Sequence, residues 1–156
     1  MFDVSWHCLT RLRADRRGNF AIEFALAMPI LLLLLVGLVD LGRYSLQKSA
    51  LLQGAREGAQ YGILAPTDTT NIQTTAQNAT GLTGVTAIAS TFCECVSGVP
   101  IGCGASCSPG TPKRYVQVQM TRAFSSVLGP ATMTFGSFGR WTPPTTMSAT
   151  ITMIVP

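Results

Sequence analysis

Histidine is nearly absent from this 156-residue chain: it occurs once, as His7, close to the N-terminus. Acidic residues number seven. Beyond Glu23 only Asp40, Glu57, Asp68 and Glu94 remain, and no two of them stand at a spacing that suggests a carboxylate pair, a triad or a metal cage. Acid–base and hydrolytic enzymes are thereby set aside. A glycine-rich phosphate loop closed by a lysine is also missing, which sets aside the usual nucleotide-binding module. Charged residues of all kinds make up 12% of the chain. The net charge of +4 divides into +2 for residues 1–18 (four arginines against Asp3 and Asp15) and +2 for the remainder. No basic patch interleaved with aromatics is left over, so nucleic acid is not an expected partner. Nor is a small-molecule substrate, a cofactor or a metal.

What the chain does have is a long apolar run. Phe24 to Val39 carries no charge, and Leu31 to Leu35 is unbroken leucine. Counted back to Phe20, the run is interrupted only by Glu23. A bilayer core of about 30 Å needs roughly 20 helical residues, so one membrane-spanning helix is expected. Arg11, Arg13, Arg16 and Arg17 crowd its N-terminal flank, while Asp40 and Arg43 nearly cancel on the other. The positive-inside rule then places residues 1–18 in the cytoplasm and the C-terminal bulk across the membrane. A secretory signal peptide fits poorly. Its apolar stretch would be shorter, and Asp40-Leu41-Gly42-Arg43 offers no A-x-A cleavage pattern. The lone Glu23 lies in a costly place: an acid at a bilayer centre costs about 2.5–3.5 kcal/mol on insertion scales, less near an interface.

Arg16-Arg17-Gly18 followed by Asn19-Phe20-Ala21-Ile22-Glu23-Phe24-Ala25-Leu26 resembles the cleavage region of type IV prepilins and pseudopilins. With Pro29, the leucine run, Asp40-Leu41-Gly42-Arg43 and Ala55-Arg56-Glu57-Gly58-Ala59, the stretch of about residues 16–62 resembles the TadE-like pseudopilins, minor components of tight-adherence (Flp) pilus systems. The resemblance implies that a prepilin peptidase reads Arg17, Gly18, Asn19 and Glu23 and cuts after Gly18. It implies partners among other pilins, pseudopilins and pilus assembly proteins. It also implies a bacterial inner-membrane location, single pass, with the N-terminus cytoplasmic and the C-terminal domain outside the cytoplasm.

The residues give this motif a physical reading of their own. Gly18 has no side chain, so a protease can approach its backbone closely. Cutting there would free an ammonium on Asn19, with Glu23 little more than one 5.4 Å helical turn deeper. In a packed assembly the Glu23 of one subunit can pair with the Asn19 ammonium of its neighbour, offsetting desolvation and fixing the axial stagger. The alternative is that Glu23 snorkels to the headgroups. Pro29 removes one backbone hydrogen bond, and a tolerated kink is expected. The helix should run on from about residue 20 to 64, with residues 44, 48, 51, 52 and 55 on one broad face. Gly54, Gly58 and Gly62 recur every four residues and let another backbone approach closely. Two seats are open to this stripe, a neighbouring pilin helix or the chain's own sheet, and the second is expected. Asp40 with Arg43, and Gln53 with Glu57, stand at helical spacing and should form solvated pairs.

Beyond Pro66 the chain turns polar and almost free of charge. Asp68-Thr69-Thr70-Asn71 reads as a loop or helix cap, Ile72 to Ala79 as a short helix and Val85 to Ala89 as a short strand. Cys93, Cys95, Cys103 and Cys107 follow within 15 residues. On the far side of a membrane they should form disulfides. Cys93 and Cys95 would point to opposite faces of a strand, so each is expected to pair with Cys103 or Cys107. A zinc site is the alternative, but the spacing suits it poorly. Cys8, in the leader, is expected to be a free thiol, lost on cleavage.

Tyr115 to Thr121 and Met147 to Val155 alternate apolar and polar residues and predict two antiparallel strands covering the upper helix. Phe135, Phe138 and Trp141 are expected to fill the core; exposed, they would instead offer an adhesive or partner surface. The predicted architecture is α+β: a leader (1–18), a transmembrane and extended helix (19–64), and a small disulfide-containing β-rich domain (65–156). Two functions fit it. One is a pseudopilin acting in pilus assembly; the other is an uncleaved single-pass envelope protein whose outer domain binds a partner.

Overall fold

A computed structural model describes residues 16–95, 98–108, 110–127, 129, 132–134 and 136–156, with the backbone alone at 16–19, 133 and 138. The leader residues 1–15, with His7, Cys8, Arg11 and Arg13, lie outside the described residues. Helix α1 spans Arg16–Leu64 and contains Pro29. It starts about four residues earlier than the apolar run suggests, so Gly18 and Asn19 are helical. Within α1 the chain divides into two compact units, between Asp40 and Leu41. In the first unit the large apolar side chains from Phe20 to Val39 are exposed, save half-buried Val36. Apart from Glu23 that surface is apolar, and its length and composition suit a bilayer core.

The second unit holds the core. After α1 comes α2 (Thr69–Ala79), then β1 (Val85–Glu94), β2 (Pro100–Ile101), β3 (Lys113–Ala123), β4 (Met133–Thr134), a 3₁₀ turn (Gly136–Phe138), β5 (Arg140–Trp141) and β6 (Thr146–Val155). The main sheet is antiparallel, in the order β2-β1-β3-β6, and β4 with β5 makes a separate two-stranded ribbon. Alternation sets the faces. Val116, Val118 and Met120 of β3 and Met147 and Ala149 of β6 are buried, while Gln119, Ser148, Thr150 and Thr152 are exposed. Against that inner face pack Leu51, Ala55 and Ala59 of α1 and Ile72 and Ala76 of α2. Leu51, Ile72, Val116, Val118, Met120 and Met147 are fully buried. Burial of a side chain of this size contributes about 1.5–3 kcal/mol relative to leaving it exposed. Tyr44 closes one end of the core with an edge-on contact to Phe124, ring centres 5.4 Å apart.

Three expectations need correcting. Strand β1 runs to Glu94 rather than Ala89, because its register against β3 continues unbroken to Glu94↔Lys113. Trp141 does not fill the core: it is 44% exposed, since β5 belongs to the separate ribbon and not to the inner face of the sheet. Phe135 and the side chain of Phe138 lie outside the described residues. Asp40 is not a solvated surface group but is buried at 8% exposure.

Candidate functional site

The motif at the start of α1 comes first. Arg17, Gly18 and Asn19 occupy its opening turns. Glu23 follows Asn19 by four residues, which on a helix is about 6 Å further along the axis and on the same side. Its carboxylate is exposed and makes no hydrogen bond or ion pair among the described residues. It is therefore an acid on a largely apolar helix surface with no partner among the described residues.

The small-residue stripe is placed differently. A methyl group on Gly54 would come within 2.5 Å of the Ala76 carbonyl oxygen and of Thr80 Cγ2. On Gly58 it would come within 2.7 Å of Ala76 Cβ and 3.0 Å of the Ile72 carbonyl oxygen. On Gly62 it would meet Val116 Cγ1 at 2.7 Å and Ile72 Cδ1 at 3.1 Å. The stripe thus seats inside its own domain. It faces α2 at all three glycines and also the expected sheet at the first and third, through Met120 and Val116 of β3. Gly37 and Gly42, also on α1, face open space.

Polar contacts fix α1 to the sheet. Lys48 Nζ donates to the Ser148 carbonyl on β6. Arg122 of β3 donates to Gln47 Oε1 at 2.7 Å and, through Nε, to the Thr83 carbonyl at 3.0 Å. These contacts carry no periodic signal, and sequence reading does not find them. The cap of α2 is a different case. Asp68 accepts from the Asn71 backbone N–H at 3.2 Å, from Asn71 Nδ2 at 2.6 Å and from the Tyr61 hydroxyl at 3.5 Å. The Asn71 side-chain and backbone hydrogen bonds hold its carboxyl below the ordinary value.

The four cysteines form two bridges, Cys93–Cys103 and Cys95–Cys107, with Cα separations of 5.0 and 5.7 Å. Neither Cys93 nor Cys95 bonds the other. The crossed pattern ties the segment after β1 to the sheet at adjacent points. Among the described residues no group of three or more histidines, cysteines or acids is placed to hold a metal ion. Open clefts among the described residues include two on the second unit. One is lined by Phe124, Ser125 and Pro143, the other by Cys93, Cys103, Lys113 and Arg114 among others. Neither gathers a nucleophile with a base.

The model of the TadE-like protein family matches residues 18–60. That segment includes Gly18, Glu23, Pro29, Gly54 and Gly58, and it stops short of Gly62 and the cysteines. No curated protein and no solved structure matches the chain. The family is one of pilus-associated components. From Gly18 to Gln60, through the apolar run and most of the helix that the core is built on, the chain carries the TadE-like segment.

Proposed function

We propose that this protein is a pseudopilin of a tight-adherence (Flp) pilus, processed by prepilin peptidase after Gly18 and acting as a structural component of pilus assembly. The observation that carries the reading is the family match beginning at Gly18 and running through Glu23 into an exposed apolar helix. In this reading α1 crosses the bacterial inner membrane once. The leader stays in the cytoplasm, and the disulfide-containing domain lies outside it, where disulfides persist. Arg17, Gly18, Asn19 and Glu23 form the segment the peptidase reads. Cleavage creates an ammonium on Asn19, and the Glu23 of a neighbouring subunit receives it. Pairing in lipid offsets the desolvation of both groups and sets the axial offset between subunits. The partners are the peptidase, membrane lipid, other pilins and pseudopilins, and the assembly proteins that move them.

Mass spectrometry of the protein from its host, with and without the prepilin peptidase, tests this. A mature N-terminus at Asn19 that depends on the peptidase is the expected result. An intact leader in both strains, with pili formed normally, overturns the reading in favour of an uncleaved envelope protein.

A further inference from the structure

Strand β6 (Thr146–Val155) is one edge of the main sheet, and β3 is its neighbour on the other side. Its register runs without a bulge from Arg114↔Val155 to Ala123↔Thr146. In an antiparallel pair, residues alternate between bonding their partner strand and turning away from it. The Phe124 N–H donates to the Thr145 carbonyl at 2.8 Å, a pair that continues the same register. Odd-numbered residues of β6 therefore bond β3, and Thr146, Ser148, Thr150, Thr152 and Ile154 turn their N–H and C=O groups outward. The Lys48 contact agrees, since it is the Ser148 carbonyl that accepts from it.

Sheet edges in soluble domains are usually guarded by charge, proline, a bulge or shortness. This edge has ten residues, none of them charged and none proline. Its guard is Lys48, which occupies the Ser148 carbonyl. Among the described residues the outward groups of Thr150, Thr152 and Ile154 have no backbone partner. Ile151, Met153 and Val155 lie half-buried along the same edge on the inner face. At the far end, Lys113 and Arg114 are exposed on β3 beside Val155, and no carboxylate pairs with them among the described residues.

A row of alternating donors and acceptors is satisfied by an extended strand. A second copy is a poor occupant. Antiparallel pairing of β6 with itself places a two-fold axis normal to the sheet. The strand added in this way has no acidic residue to set beside Lys113 and Arg114. The geometry points to β6 as a docking edge for an extended segment of a different protein. The segment adds a strand along Thr150–Ile154, covers Ile151, Met153 and Val155 with alternate apolar side chains, and carries an acidic residue at the Lys113–Arg114 end. This goes beyond the pilus reading and stands without cleavage after Gly18.

The test uses the full chain in detergent micelles with both disulfides formed. Two synthetic peptides serve as probes, each alternating valine and threonine, one with an aspartate at its N-terminal end and the other at its C-terminal end. Residue-resolved amide exchange is measured with and without them. The expected result is binding of one peptide, with slowed exchange confined to Thr150, Thr152 and Ile154. Thr150→Pro deletes an outward donor without touching a bond to β3. It should weaken that binding about tenfold, the size of one net hydrogen bond. Thr150→Lys, which guards the edge by charge, should do the same if proline perturbs the strand. Lys113→Glu should weaken the binding, and replacing the peptide's aspartate by lysine should restore it in that variant. The proposal is overturned if neither peptide binds, if protection falls outside β6, if the three amides are already as protected as those of β3 without peptide, or if both Thr150 variants bind unchanged.

Discussion

Gly54 of α1 and Ala76 of α2 meet so closely that a methyl group on the glycine would come within 2.5 Å of the Ala76 carbonyl oxygen. Two effects of a Gly54→Ala substitution therefore oppose each other. Alanine favours an α-helix by up to about 1 kcal/mol over glycine. Overpacking a tight interface costs about 1–3 kcal/mol, and here one blocking atom belongs to backbone that cannot swing away. The clash should win. Gly54→Ala and Gly58→Ala are expected to lower the unfolding midpoint. Gly42→Ala, which faces open space, should leave it unchanged or raise it. Thermal unfolding of the three variants in detergent, followed by circular dichroism, separates packing from propensity. Equal behaviour of all three would show that the stripe is not a tight seat.

The two disulfides should each contribute to the stability of the small β-rich unit. Their separations of 10 and 12 residues correspond to about 3 kcal/mol each on chain entropy. The loops overlap, so the second bridge adds less than the first. Replacing Cys93 and Cys103 together by serine is expected to cost more than replacing Cys95 and Cys107. Cys93 is buried at 2% exposure, and a serine there places a hydroxyl in the core. Denaturant unfolding of the two double variants measures the difference, and the opposite order would count against it.

Much of this fold was legible because the pattern that builds it is periodic. Val116, Val118 and Met120 announce β3, and Met147, Ala149, Ile151, Met153 and Val155 announce β6. The structure pairs those two strands with the expected faces inward. The apolar run and the absence of proline between Pro29 and Pro66 announce α1. What escaped reading is held by single long-range contacts. Lys48 and Ser148 are a hundred residues apart, and Arg122 reaches back 75 residues to Gln47. Neither contact leaves a periodic trace. Trp141 was misplaced for a related reason: an aromatic in a Gly/Thr-rich segment says nothing about which ribbon will hold it. In the motif around Gly18 and Glu23 the residues were visible in the sequence. What Glu23 pairs with was not, and among the described residues it meets no partner.

Asp68 makes the start of α2 sensitive to acid. Its hydrogen bonds with Asn71 lower the folded-state value below that of the unfolded chain. The stability this cap contributes is therefore fully present above the ordinary aspartate range. It is lost as pH falls through the lowered folded value. Asp68→Ala should unfold more readily than the parent at neutral pH, and the gap should close in strong acid. A gap that stays constant from neutral pH downward would mean that the charge of the cap does not matter.

Glu23 offers the sharpest separation between membrane anchoring and assembly. The side chain is exposed on an otherwise apolar stretch and lacks a partner among the described residues. Glu23→Val removes a costly charge from that stretch, so insertion should be as good or better, by up to about 2.5–3.5 kcal/mol if the group sits deep and less near the headgroups. If the carboxylate only snorkels to the headgroups, nothing further is lost. If it receives the Asn19 ammonium of an adjoining subunit, insertion survives while assembly fails. Glu23→Gln, which keeps size and hydrogen bonding but not charge, should fail as well. Gly18→Leu provides the complementary control: it should block cleavage and leave Glu23 with no ammonium to meet, so that the uncut protein accumulates in the membrane. Membrane fractionation with anti-protein blotting reads insertion, and electron microscopy of the cells reads piliation. Normal pili in Glu23→Val cells would remove the pairing role and leave the carboxylate as a headgroup-facing acid.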